Sequence, residues 1–141
     1  MGLPIQKAPM YKCVLPVSQI EVKYRPFLVK EQNYLLIARE SEDPAQIFDA
    51  IMDLVKAVTE GEVDASKIAL VDLEYLFLQV RTKSVGETAK VPLMCMAEGC
   101  DGVGYSEIDL TKIEVDTSGV LESKIELGSN LIVELRPPDS K

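Results

Sequence analysis

Histidine is absent from the 141 residues of this chain. That single absence removes Ser-His-Asp and Cys-His catalysis, His-ligated zinc and the commonest general base. Apolar runs stay far below the ~20 residues that a membrane-spanning helix needs, so no membrane contact is expected. No basic run or basic face stands out, and acidic residues outnumber basic ones by 23 to 15. A protein held on nucleic acid by phosphate contacts needs the opposite balance. The opening stretch MGLPIQKAPMYK lacks an apolar signal core, and Gln6 stands where N-myristoylation wants Ser or Thr. Export and lipid anchoring are therefore not expected. Cysteine is scarce and odd in number, at three, which suits reduced thiols in a cytosol.

What remains is enough for one globular domain. Apolar residues make up 47% of the chain, a length that can bury a real core. The formal net charge of −8 favours solubility and identifies no partner. The organising stretch is residues 69–87, ALVDLEYLFLQVRTKSVGE. Leu70, Leu73, Tyr75, Leu76, Phe77, Leu78 and Val80 put apolar side chains on nearly every side of a helix, the mark of a buried one. Asp72 is placed to cap its N-terminus and Glu74 to sit in its first turn. Arg81, Lys83 and Ser84 make a polar last turn, and Gly86 suits a left-handed cap.

Around this helix the pattern reads as α+β: an N-terminal β-hairpin, a three-helix segment whose third helix is buried, and C-terminal antiparallel strands. Residues 1–10, with Pro4 and Pro9, form an extended arm able to add itself to a partner's sheet edge. Residues 11–136 form the single domain, and 137–141 a polar tail that need not be ordered. Runs 11–17 and 20–28 flank a turn near Ser18-Gln19, with Ile20, Val22 and Tyr24 alternating against Glu21, Lys23 and Arg25. A helix starts at about Lys30, carrying Leu35, Leu36, Ile37 and Ala38. Asp43-Pro44 opens the next, with Gln46 in a capping-box-like position, and Gly61 closes it. Its stripe is Ile47, Ala50, Ile51, Leu54, Val55 and Val58. Strands are expected at 88–96, 102–110, 113–115, 124–127 and 131–135, with Gly119 and Gly128 as separators.

Few residues offer chemistry. Cys95 and Cys100 lie at a hairpin tip, where a zinc ribbon places half its ligands, but the second pair is missing. Two free thiols are the plainer reading, and no cofactor is expected. The RTKSVGE stretch carries cations, hydroxyls and a glycine, yet the glycine follows a helix instead of preceding one. Phosphate loops need the reverse order, so a basic last turn with a glycine cap fits better. The acidic groups Glu40/Glu42/Asp43 and Glu60/Glu62/Asp64 read as loop solvation and capping. No enzyme activity is expected.

Two segments together carry a resemblance: YRPFLVKEQNYLLIARESE at residues 24–42 and DLEYLFLQVRTKSVGE at 72–87. With Leu3-Pro4, Pro9 and Tyr11, they resemble the baseplate protein family of T4-like contractile-tailed bacteriophages, over roughly residues 3–115. The resemblance implies a non-enzymatic phage tail protein, made in the host cytoplasm and acting in the central hub of the baseplate. It implies other hub and tail proteins, and copies of itself, as partners. Shape and surface would then do the work, with Arg25, Lys30, Arg81, Lys83, Ser84 and Glu87 as candidate contact residues. The alternative is a small cysteine-containing protein-binding module stabilised by zinc.

Overall fold

A computed structural model describes residues 8–118, 123–127 and 131–138. Most of the N-terminal arm, together with Gly119 and Gly128, lies outside the described residues. The chain folds as α+β, with three α-helices and three antiparallel strand pairs among the described residues. Strands β1 (Tyr11–Val14) and β2 (Glu21–Tyr24) pair in the register Tyr11↔Tyr24 and Cys13↔Val22. Their alternation works as the period-2 pattern requires: Val22 and Tyr24 are buried, Glu21 and Lys23 exposed. Both strands are shorter than expected: β1 stops ahead of the turn at Gln19, which is left-handed at φ 57°, and β2 stops at Tyr24, where the Arg25 N–H turns to the Val58 carbonyl. Bonds between Leu15 and Ile20, and between Gln19 and Leu15, close that turn.

Helix α1 (Val29–Glu40) follows, started by a Glu31 carboxylate that accepts the Leu28 N–H at 2.7 Å. Helix α2 (Pro44–Val58) begins as Asp43-Pro44 dictates, the Asp43 side chain accepting from the Ala45 N–H at 3.0 Å. Gln46 departs from a true capping box, since its amide reaches the Asp43 carboxylate instead of the backbone. At the far end Glu60 and Gly61 take φ values of 53° and 78°, and the Gly61 N–H returns to the Lys56 carbonyl.

Helix α3 (Leu70–Ser84) is the organising element, with Leu73, Leu76 and Val80 fully buried. They join Leu54, Val55 and Val58 of α2, Leu15, Val22 and Tyr24 of the first hairpin, and Val63, Ala65 and Ile68 of the intervening loop. Each fully buried Leu or Val among them contributes about 1.5–3 kcal/mol by leaving water. Three details differ from expectation. Helix α3 starts earlier than an Asp72 cap allows, with Ala69 at the cap position and Asp72 in the first turn. Glu74 lies past that turn. Gly86 has φ 150°, so it serves an extended kink outside the left-handed helical well, and α3 ends at Ser84. The tail also has a role: the Pro138 carbonyl accepts the Leu70 N–H at 3.0 Å, one of the donors a helix start leaves unpaired.

Beyond α3, β3 (Thr88–Met94) and β4 (Val103–Asp109) form the second hairpin, in the register Thr88↔Asp109 through Met94↔Val103. No residue of either strand belongs to the core cluster. A 3-10 turn, Leu110–Lys112, follows where the chain bends back, its start capped by Asp109. The strand expected at 113–115 is absent, because that turn ends in a bond from the Ile113 N–H to the Leu110 carbonyl. A third hairpin pairs β5 (Lys124–Glu126) with β6 (Ile132–Glu134). Among the described residues no helix is long and apolar enough to cross a membrane.

Candidate functional site

The candidate contact residues fall into one neighbourhood, gathered where β2 runs into α1 and where α3 ends. The Ser84 hydroxyl accepts the Phe27 N–H at 3.0 Å and donates to the Val80 carbonyl at 2.6 Å. One side chain thus ties segments 57 residues apart in sequence. Beside it, Arg25 is turned inward. Its guanidinium forms a two-pronged pair with Glu31, at 3.0 and 2.8 Å, and also donates to the Ala57 and Pro26 carbonyls. Only 17% of the Arg25 side chain and 12% of Glu31 meet solvent. The Arg25 hydrogen bonds hold the Glu31 carboxyl below its usual range, burial opposing them and the Leu28 N–H adding to them.

Lys83 and Glu87 remain at the surface, paired with each other at 3.1 Å. The Lys83 ammonium also lies 5.7 Å from the centre of the Tyr11 ring, which links the α3 terminus to the first hairpin. Lys30 is exposed at the start of α1. Arg81 is half-buried, and its Nη1 is a buried donor with no partner among the described residues. Buried cationic donors are seldom left so, which makes Arg81 the member of the group most in need of an acceptor.

At the far end of the second hairpin, Cys95 and Cys100 are both exposed and face one another. The Ala97 N–H and the Cys100 thiol both donate to the Cys95 sulfur and bring its pKa below the ordinary thiol value. A Cβ on Gly102 would lie 3.2 Å from Cys100 Sγ, a close approach that the exposed Cys100 side chain would have to ease by shifting slightly. Among the described residues no group of three or more His, Cys, Asp or Glu could hold a metal ion. The pair therefore supplies two of the four ligands that a structural zinc takes. Cys13 differs: burial pushes its thiol up to about 11. Thiol labelling of the folded protein should modify Cys95 and Cys100, with Cys13 slower by on the order of a hundredfold until urea is added. Equal rates at all three would mean that Cys13 is not shielded by the first hairpin.

Apolar surface is the feature that residue-by-residue reading missed. Of the apolar residues of α1, Leu35 packs on the core and Ala38 is buried, while Tyr34 is 71% and Ile37 65% exposed. A groove of about 560 Å³ runs between α1 and α2, lined by Tyr34, Ile37, Ala38, Ala50 and Leu54 with Asp49 and Asp53 at its rim. The second hairpin adds Leu93, Met94, Val103 and Tyr105. The signal was present in the unbroken run Leu35-Leu36-Ile37-Ala38, which is wider than one helix face can bury.

A scan against family models matches residues 8–141 to the family described as T4 bacteriophage base plate protein. The chain belongs to the T4 bacteriophage base plate protein family. No curated protein and no solved structure matches it. The family carries a structural role in the phage baseplate, among other baseplate proteins. A surface rich in exposed apolar side chains among the described residues is consistent with that work.

Proposed function

We propose that this baseplate protein is a non-enzymatic component or assembly factor of the central hub, acting through protein–protein contacts made in the host cytoplasm. The observation that carries the reading is the family match over residues 8–141. It is supported by two separate apolar surfaces, on α1 and on the second hairpin, neither covered by the described residues. Proteins that join assemblies keep such faces for their neighbours. The polar group where α1 starts and α3 ends would add to the contact: Lys30, Lys83 and Glu87 are exposed, Arg81 is half-buried with a donor unpartnered among the described residues, and Arg25 and Ser84 hold the junction in shape. Its partners are other hub and tail proteins, with further copies of itself where the baseplate symmetry repeats the site.

The test uses the full chain as bait in phage-infected cells, together with mass spectrometry of purified virions. Co-purification with hub proteins is expected. Its presence in virions at fixed stoichiometry would make it a structural component, and absence from virions an assembly factor. Recovery of no tail protein, with none of the chain in virions, would sink the hub reading.

A further inference from the structure

The second hairpin has two outer edges, and the chain treats them differently. In an antiparallel pair, residues alternate between those that bond to the neighbouring strand and those whose N–H and C=O point away. The Cys95 N–H bonds the Gly102 carbonyl at 2.9 Å, and the Leu110 N–H bonds the Glu87 carbonyl at 2.8 Å. Those two bonds bracket the ladder and fix its phase. Thr88, Lys90, Pro92 and Met94 of β3 direct their backbone outward, as do Val103, Tyr105, Glu107 and Asp109 of β4. Pro92 therefore costs the hairpin no ladder bond. It deletes a donor from the outer edge of β3, and Lys90 adds a charge beside it, the two devices by which sheet edges resist further pairing. The β4 edge has no proline, and its two charges, Glu107 and Asp109, lie at the end nearer α3, leaving the Val103 and Tyr105 half uncharged. Among the described residues its four outward N–H groups and four outward carbonyls have no backbone partner.

An isolated two-stranded hairpin is marginal in water, and this one exposes apolar side chains at its far half. Tyr105 is 76% and Met94 78% exposed. From these placements we infer that the β4 edge accepts an extended strand from a second protein, making a three-stranded sheet. The inference rests on the baseplate reading and specifies where and how the contact is made.

The side chains state the chemistry of that strand. Rows across the sheet read Met94–Val103, Pro92–Tyr105, Lys90–Glu107 and Thr88–Asp109, all on one face. Cross-strand neighbours are favourable when apolar meets apolar and charge meets its opposite. The added strand therefore carries apolar residues opposite Val103 and Tyr105 and a Lys or Arg opposite Glu107. A row of Lys90, Glu107 and a second cation then alternates in sign. A second copy is a poor occupant. Self-pairing would bring two β4 strands, each with Glu107 and Asp109, together between chains of net charge −8.

The test exploits the phase of the ladder. Glu107→Pro deletes one outward donor and no ladder bond, as Pro92 does on β3, so the fold should persist by circular dichroism. In the full chain co-purified with its baseplate partner, the amides of Tyr105 and Glu107 should exchange at least tenfold more slowly than in the free chain. Glu107→Pro should weaken the association by about tenfold or more, and Glu107→Gln by less. A synthetic nine-residue strand with valines facing Val103 and Tyr105 and a lysine facing Glu107 should protect the same amides. The same peptide with glutamate at that position should not. Equal co-purification of wild type and Glu107→Pro overturns the inference while leaving the baseplate reading intact. So does protection of these amides in the isolated chain that rises with concentration, because the occupant would then be a second copy. Recovery of no baseplate protein with the wild type removes the underlying reading instead.

Discussion

Replacing Asp72 with alanine is expected to lower the unfolding free energy by about 2–4 kcal/mol, measured by urea denaturation. The carboxylate is fully buried in the first turn of α3. It accepts the Val17 N–H at 2.8 Å, the Ser18 N–H at 2.9 Å and the Ser18 hydroxyl at 2.6 Å. Those donors belong to the turn of the first hairpin, 54 and 55 residues earlier in the chain. The position suits an anion, since the positive end of the helix dipole lies there. Alanine removes all three bonds at once and leaves the Val17 N–H shielded from water. Ser18 is exposed, so water can recover part of its loss, and this keeps the figure below that for a wholly buried charge. The Ser18→Ala variant deletes one bond and should cost about 1 kcal/mol. Asp72→Asn keeps one carbonyl acceptor and should fall between the two. Stability of Asp72→Ala within about 1 kcal/mol of wild type would mean the hairpin is not anchored through this residue.

Asp72 also shows where reading the sequence stops. An acidic residue near a helix start is most simply a cap, and the capping rules use only neighbours in the chain. Its actual partners come from a turn brought alongside by the burial of Leu15 and Val22 against Leu73 and Leu76. Helix α2 was legible throughout because its signals are local: Asp43-Pro44 in front, a stripe from Ile47 to Val58, and Gly61 behind. The two later hairpins were legible from their strand-like stretches and turn residues, whereas the turn at Leu110–Lys112 hides inside the stretch IDLTKIEV, whose mix of apolar and polar residues also suits a strand. Arg25 was readable as a cation at a junction. That it bends back upon Glu31 depends on the angle between β2 and α1, which no local pattern records. The phase of the second hairpin, by contrast, was one step from the sequence. Pro92 inside a strand already requires an edge, and only the register was needed to say which.

Arg25→Leu is the second variant expected to have a large effect, about 2–3 kcal/mol at neutral pH. It removes both prongs to Glu31 and the bond to the Ala57 carbonyl, leaving a largely shielded carboxylate with the Leu28 N–H alone. The pH dependence distinguishes this from lost packing. The folded protein holds the Glu31 carboxyl below its unfolded value, chiefly through the Arg25 hydrogen bonds. Stability of that origin is fully present above the unfolded carboxyl pKa, roughly 4.3, and is lost as pH falls through the lower folded value. In Arg25→Leu the shielding remains without the cation, so acid relieves the variant while it weakens the wild type. The two changes are opposite in sign, and both narrow the gap between the proteins. The stability gap measured by urea unfolding should therefore shrink between about pH 7 and about pH 3.5. Replacing both residues, Arg25→Leu with Glu31→Leu, should recover part of the loss, because no unpaired charge is left behind. A gap that stays constant with pH would assign the Arg25 contribution to its aliphatic stem and its bond to Ala57, and would remove the ion pair from the account of this junction.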